Sequence, residues 1–146
     1  KAFVAKHEDL LPNIKFCFNF DMCGTVLWPN QIFVTGSESL KNYTEQLCKE
    51  VGHFADISVL VHSSDSAPFC DKGIPSIGIS RGTRTADIHT RHDLLYPLSA
   101  KQLYKDSEFA IFFISRVVNS TFLPVNCGMP DDVQKKLDSY FQRDKK

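Results

Sequence analysis

Residues 14–22 read IKFCFNFDM, a short and nearly continuous apolar run that ends in an acid and is closed by Gly24. Such a run predicts a strand buried on both faces, as in a parallel sheet. Downstream, past Pro29 and Asn30, the stretch 31–35 (QIFVT) reads as a second strand. Residues 37–51 then place Leu40, Tyr43, Leu47 and Val51 at helical spacing before Gly52, which marks an amphipathic helix with a glycine stop. Two further strands are expected at 57–62 (ISVLVH) and 74–80 (IPSIGIS), with a helical turn within the segment 63–73 between them. Ser99 and Gln102 have the spacing of a capping box, with Leu98 and Leu103 placed as its hydrophobic staple, so a long helix should run from there to about Asn119. Its apolar residues cover more than one face, which predicts a largely buried helix. A last helix opens at Pro130, Asp131 and Asp132, and carries Val133, Leu137, Tyr140 and Phe141 as one stripe. Alternating strands and helices predict an α/β layered fold.

The chain has 146 residues, within the range of a single domain. Its 42% hydrophobic and 23% charged residues exclude disordered and low-complexity classes. Lys plus Arg and Asp plus Glu both number 17, so the basic excess that nucleic acid or an anionic membrane surface requires is missing. No apolar run approaches the roughly 20 residues of a membrane span. Five cysteines, Cys17, Cys23, Cys48, Cys70 and Cys127, show no CxxC pair or metal-knuckle spacing. They read as buried thiols in a reducing compartment, which favours the cytoplasm, with secretion as the alternative.

In open α/β sheets, function gathers at the carboxyl ends of strands. Asp21 stands at such an end, a carboxylate at the rim of an apolar element, where an acid either caps a turn, pairs in a loop or serves a site. His89 follows the fourth strand in Ile88-His89-Thr90-Arg91-His92-Asp93, and a neutral imidazole is the commonest metal ligand, with a carboxylate able to orient its second nitrogen. His92 reads as an exposed loop residue. Arg81 and Arg84 read either as solvated loop residues or as bidentate hooks for a peptide carboxylate or a phosphate.

Three segments together carry a resemblance. Asn19-Phe20-Asp21-Met22-Cys23-Gly24 resembles the N-[FL]-D-M-[IVC]-G signature of the co-catalytic di-zinc aminopeptidases, metallopeptidase family twenty-eight. Ser64-Asp65-Ser66-Ala67-Pro68-Phe69 with Gly73-Ile74-Pro75 resembles their S-D-x-x-P-F and G-[IV]-P segment, although Ser66 stands where the family often has His or Tyr. Ile88-His89-Thr90-Arg91-His92-Asp93 resembles their x-H-T-x-x-D loop. The order and spacing over residues 19–93 make the combination specific.

The resemblance implies a partial three-layer α/β/α sandwich with a mixed, mainly parallel sheet, the Zn-dependent exopeptidase fold with its first half missing. It implies that residues 1–146 are the carboxyl-terminal portion of one zinc peptidase catalytic domain. Five ligands hold two zinc ions in the family pattern. By motif Asp21 matches the fourth and His89 the fifth, one for each ion, with Asp93 as an orienting residue and Asp65 as a substrate candidate; Arg81 is a substrate candidate on its own chemistry, outside the motifs. No Glu-Glu pair occurs in the chain, so the general-base Glu is expected upstream of Lys1. The expected activity is aminopeptidase hydrolysis of peptides by a zinc-activated water, with this chain inactive on its own and holding little or no tight metal. Exposed edges left by the missing half should favour self-association. Phe20, Ile88 and the Phe69 region are candidates for an apolar pocket wall. The alternatives are a glutaminyl-cyclase-like acyltransferase and a non-catalytic interaction module of the same fold. His89-Thr90 without a preceding Trp weighs against the first, and retention of Asp21 and His89 against the second.

Overall fold

A computed structural model describes residues 1–26, 28–81, 88–123 and 128–143. In chain order the elements are α1 (Ala2–Lys6), a 3-10 turn (Leu11–Asn13), β1 (Cys17–Phe20), β2 (Asn30–Thr35), α2 (Glu38–Val51), β3 (Ala55–Val59), α3 (Ala67–Cys70), β4 (Ser76–Arg81), α4 (Ala100–Val118) and α5 (Asp131–Tyr140). The four strands form one sheet in the order β1-β4-β2-β3. β1 and β4 are parallel, as are β2 and β3, while β2 and β4 run antiparallel. The mixed, mainly parallel α/β sheet expected from the sequence is therefore present.

Alternation along β4 sorts the two faces. Ile77 and Ile79 join Ile32 and Val34 of β2 against Leu40, Leu47 and Cys48 of α2 and Phe109, Ala110 and Phe113 of α4. The Val, Leu, Ile and Phe side chains among these each contribute about 1.5–3 kcal/mol by leaving water. Ser76 faces the other way, where its hydroxyl meets the Cys70 thiol of α3 at 3.0 Å. Cys70 packs there with Val133 and Leu137 of α5. Helices on both sides of the sheet give the three layers.

Local signals set most element ends. The Ser37 hydroxyl accepts from Leu40 N–H to start α2, and Gly52 ends it at φ 66°, a left-handed conformation that glycine adopts without cost. The Ser99 hydroxyl likewise accepts from Gln102 N–H, at 3.3 Å. The reciprocal half of that capping box does not form: Ser99 N–H donates to Gly24 O instead, and the Gln102 NH2 group donates to Asp106.

Three expectations need correction. The run 14–22 is not a strand buried on both faces: only Cys17–Phe20 is extended, it lies at the end of the sheet beside β4, and Phe20 is 40% exposed. The strand with every residue buried is β4, which has neighbours on both sides. α4 is not largely buried: Phe109 and Phe113 are, but Ile111 is 66% and Val118 74% exposed, because only one side of the helix meets the sheet. The inner stripe of α2 is Leu40, Thr44, Leu47 and Cys48, with Val51 turned to solvent. Among the described residues no helix is long and apolar enough to cross a membrane. Of the cysteines, Cys17, Cys23, Cys48 and Cys70 are free thiols, and Cys127 lies outside the described residues.

Candidate metal centre

Because β1 and β4 are parallel neighbours, their carboxyl ends lie at the same edge of the sheet. The segment after β1 begins with Asp21, whose N–H donates to Ile79 O at 3.1 Å and prolongs the ladder by one residue. The chain then turns sharply. Met22 has φ 55° and Gly24 has φ 89°, both left-handed. Such a conformation is strained for Met22, costing on the order of 1–3 kcal/mol, and persists only where the surroundings fix it. A Cβ at 24 would also lie 3.2 Å from Leu103 Cβ, a tight contact that Leu103 would have to relieve by shifting.

β4 fixes one side of the turn. Arg81 N–H donates to Met22 O at 3.3 Å, and the guanidinium donates through Nε at 2.9 Å and through Nη2 to Trp28 O. Arg81 is only 8% exposed and belongs to β4, so it stands in the scaffold of the loop and not among solvated loop arginines. Arg84 lies outside the described residues. The segment leading into α4 fixes the other side. Ser99 N–H donates to Gly24 O at 2.8 Å, Val26 N–H donates to Pro97 O at 3.3 Å, and Thr25 and Leu98 form an isolated antiparallel bridge.

That bridge ties the loop after Asp21 to the loop that carries His89. His89 is exposed and also left-handed, at φ 61°. Beyond it a short turn is closed by His92 N–H donating to Thr90 Oγ1 and Asp93 N–H donating to Thr90 O. Asp93 is exposed, and its described hydrogen bond is this backbone one. His92 is likewise exposed, with its ring nitrogen accepting from Arg91 Nε at 3.3 Å. Asp65 is exposed on the turn before α3, flanked by Ser64 and Ser66, whose hydroxyls lie 2.7 Å apart. Phe69 is half-buried against Phe3, with ring centroids 5.9 Å apart, and Ile88 is half-buried.

Asp21 also lines a narrow cleft over the sheet with Asn19, Phe33, Thr35, His62 and Ser64, with about 10 Å³ of free space, enough for one water. His62 stacks on Phe33 at 4.1 Å and 10°. Burial lowers its pKa from the ordinary value, and the Asp21 charge works against that shift. The sequence places His62 at the end of a strand, whereas β3 stops at Val59. Its place beside Asp21 depends on β3 and β1 lying in one sheet, which no local signal reports. Among the described residues no three His, Cys, Asp or Glu side chains are grouped so as to hold a metal ion.

The sequence model of peptidase family M28 matches residues 1–112. The chain belongs to that family. Two solved structures of BSAP, a zinc aminopeptidase from Bacillus subtilis, share its fold, with TM-scores of 0.67 and 0.66 at 19% identity. Each match covers 90% of this M28 chain and 35% of the bacterial one, so the chain spans about a third of the length of the structures it resembles. No curated protein matches the sequence. The family implies zinc, and the donor chemistry here suits it: a carboxylate at Asp21 and an imidazole at His89, both exposed and on loops joined at one sheet edge. Two donors are fewer than the three or so that a catalytic zinc site draws from protein.

Proposed function

We propose that this M28 chain is the part of a zinc-dependent exopeptidase, an aminopeptidase acting on peptides, that supplies Asp21 to one zinc ion and His89 to the other. The observation that carries the reading is the bridge between Thr25 and Leu98, which joins the loop after Asp21 to the loop after His89 at the carboxyl edge of β1 and β4. When bound, zinc polarises the scissile carbonyl and makes the attacking water more acidic. The chain's own residues bind and orient. Asp21 is held on a turn pinned from two sides, Asp93 is assigned to steady the His89 imidazole, and Phe20, half in solvent beside Asp21, offers an apolar wall to a substrate side chain. The general base is assigned to a Glu outside residues 1–146, which leaves the chain without turnover by itself.

Metal analysis of purified chain 1–146 should find well under two equivalents of zinc and no aminopeptidase activity. Two tightly held equivalents with turnover would overturn the reading. In the complete protein, Asp21→Asn and His89→Ala should each weaken zinc binding beyond the roughly 10–100-fold typical of residues one step removed from the metal. Unchanged zinc affinity in either variant would remove that residue from the ligand set.

A further inference from the structure

Asp106 lies on α4, 82 residues beyond Gly24, and is fully buried, with 0% of its surface exposed. A buried carboxylate is retained only where its charge is met by donors. Among the described residues Asp106 has no ion-pair partner. Its two oxygens have separate tasks: Oδ2 accepts from Gly24 N–H at 3.1 Å, and Oδ1 accepts from the Gln102 amide at 2.8 Å. Gln102 in turn reaches Asn30 Oδ1 at 3.4 Å, and the Asn30 amide donates to Phe54 O at 2.9 Å. An aliphatic residue would suit the apolar face formed by Phe109, Ala110 and Phe113 better, yet it would leave the buried Gly24 N–H without an acceptor.

That N–H belongs to the left-handed turn through Met22 and Gly24, directly after Asp21. Arg81 N–H holds Met22 O from the β4 side, and Asp106 holds Gly24 from the α4 side. Together they over-determine a conformation that Met22 would not adopt by itself. We propose that Asp106 is a positioning residue for the metal centre: through Gly24 N–H it fixes the turn that sets the place of the Asp21 carboxylate. The proposal rests on the reading of Asp21 as a zinc ligand. Asp106 is fully buried and acts through Gly24 N–H alone.

The test uses the complete zinc-loaded protein and three readouts: zinc affinity by competition with a chromogenic chelator, kcat and KM on an aminoacyl p-nitroanilide, and the Tm of the zinc-free form. Asp106→Leu should weaken zinc by about 10–100-fold and lower kcat with KM nearly unchanged. Asp106→Asn should restore zinc affinity to within about threefold, since its carbonyl can accept from Gly24 while a rotated Gln102 amide accepts from its NH2 group. Leu137→Ala, in the separate cluster of α3 and α5, should lower Tm and leave zinc affinity and kcat at wild-type levels. If Asp106→Leu does not fold, Asp106→Ser supplies a shorter acceptor and should weaken zinc to an intermediate extent.

Wild-type zinc affinity in Asp106→Leu or Asp106→Ser, alongside weakened zinc in Asp21→Asn, would overturn this proposal alone. An Asp21→Asn variant that binds zinc normally would overturn the ligand reading and this proposal with it. Equal loss of zinc in Leu137→Ala and Asp106→Leu would reduce Asp106 to a general contributor to stability.

Discussion

His53 shows how one buried side chain ties stability to pH. It stacks on Phe109 with ring centroids 4.3 Å apart and 7° between planes, and its Nε2 is buried without a hydrogen-bond partner among the described residues. Burial lowers its pKa below the ordinary 6.5, with the Asp106 charge opposing that shift and the Arg81 charge adding to it. The unfolded chain therefore takes up a proton that the folded ring resists. The stability that His53 allows is fully present above about pH 6.5 and falls as pH drops through that value. His62 shifts in the same direction and adds to the fall. His53→Phe, which keeps a ring on Phe109, should flatten part of the loss in urea midpoint between pH 7 and pH 5. A variant with the wild-type pH slope would show that His53 carries none of it. Nothing around residue 53 in the sequence marks it as buried, because its cover comes from α4.

At the scale of elements, helix ends were legible and helix faces were less so. Ser37, Gly52 and Ser99 act on backbone groups within a few residues, so their roles could be read in place. The apolar residues of α4 could not be divided in this way. Phe109 and Phe113 face the sheet, where Phe113 meets the rings of Phe16, Phe18 and Tyr43 at 5.7–5.9 Å, while Ile111 faces solvent. Periodicity reports which residues share a face, but two apolar faces on one helix leave open which of them the sheet covers. Urea unfolding should separate them. Phe113→Ala should cost about 3–5 kcal/mol through the cavity it opens, and Ile111→Lys should stay within about 0.5 kcal/mol. Similar costs for both would mean that the outer face is also covered in solution.

For the whole molecule, the sheet order gives β1 one neighbour, β4, among the described residues, so within them one backbone edge of β1 is unpaired, beside a partly exposed Phe20. The outer face of α4 adds Tyr104, Ile111 and Val118 as exposed apolar surface. Open edges and apolar patches of this kind favour association between chains. Sedimentation of chain 1–146 should show concentration-dependent oligomers, and a single monomeric species up to high concentration would count against this.

The sequence by itself determined what depends on near neighbours: the alternation of strands and helices, the capped helix starts, the glycine stop at Gly52, and the three short motifs that resemble those of the M28 family. Tertiary structure alone decided that β1 lies at an edge and β4 at the centre, that Arg81 is buried beneath the loop it holds, that His62 sits beside Asp21, and that Asp106 reaches Gly24. The reason is physical. Caps and turns are satisfied by groups a few residues away, whereas the partner of a buried carboxylate 82 residues distant is chosen by how the sheet and helices pack.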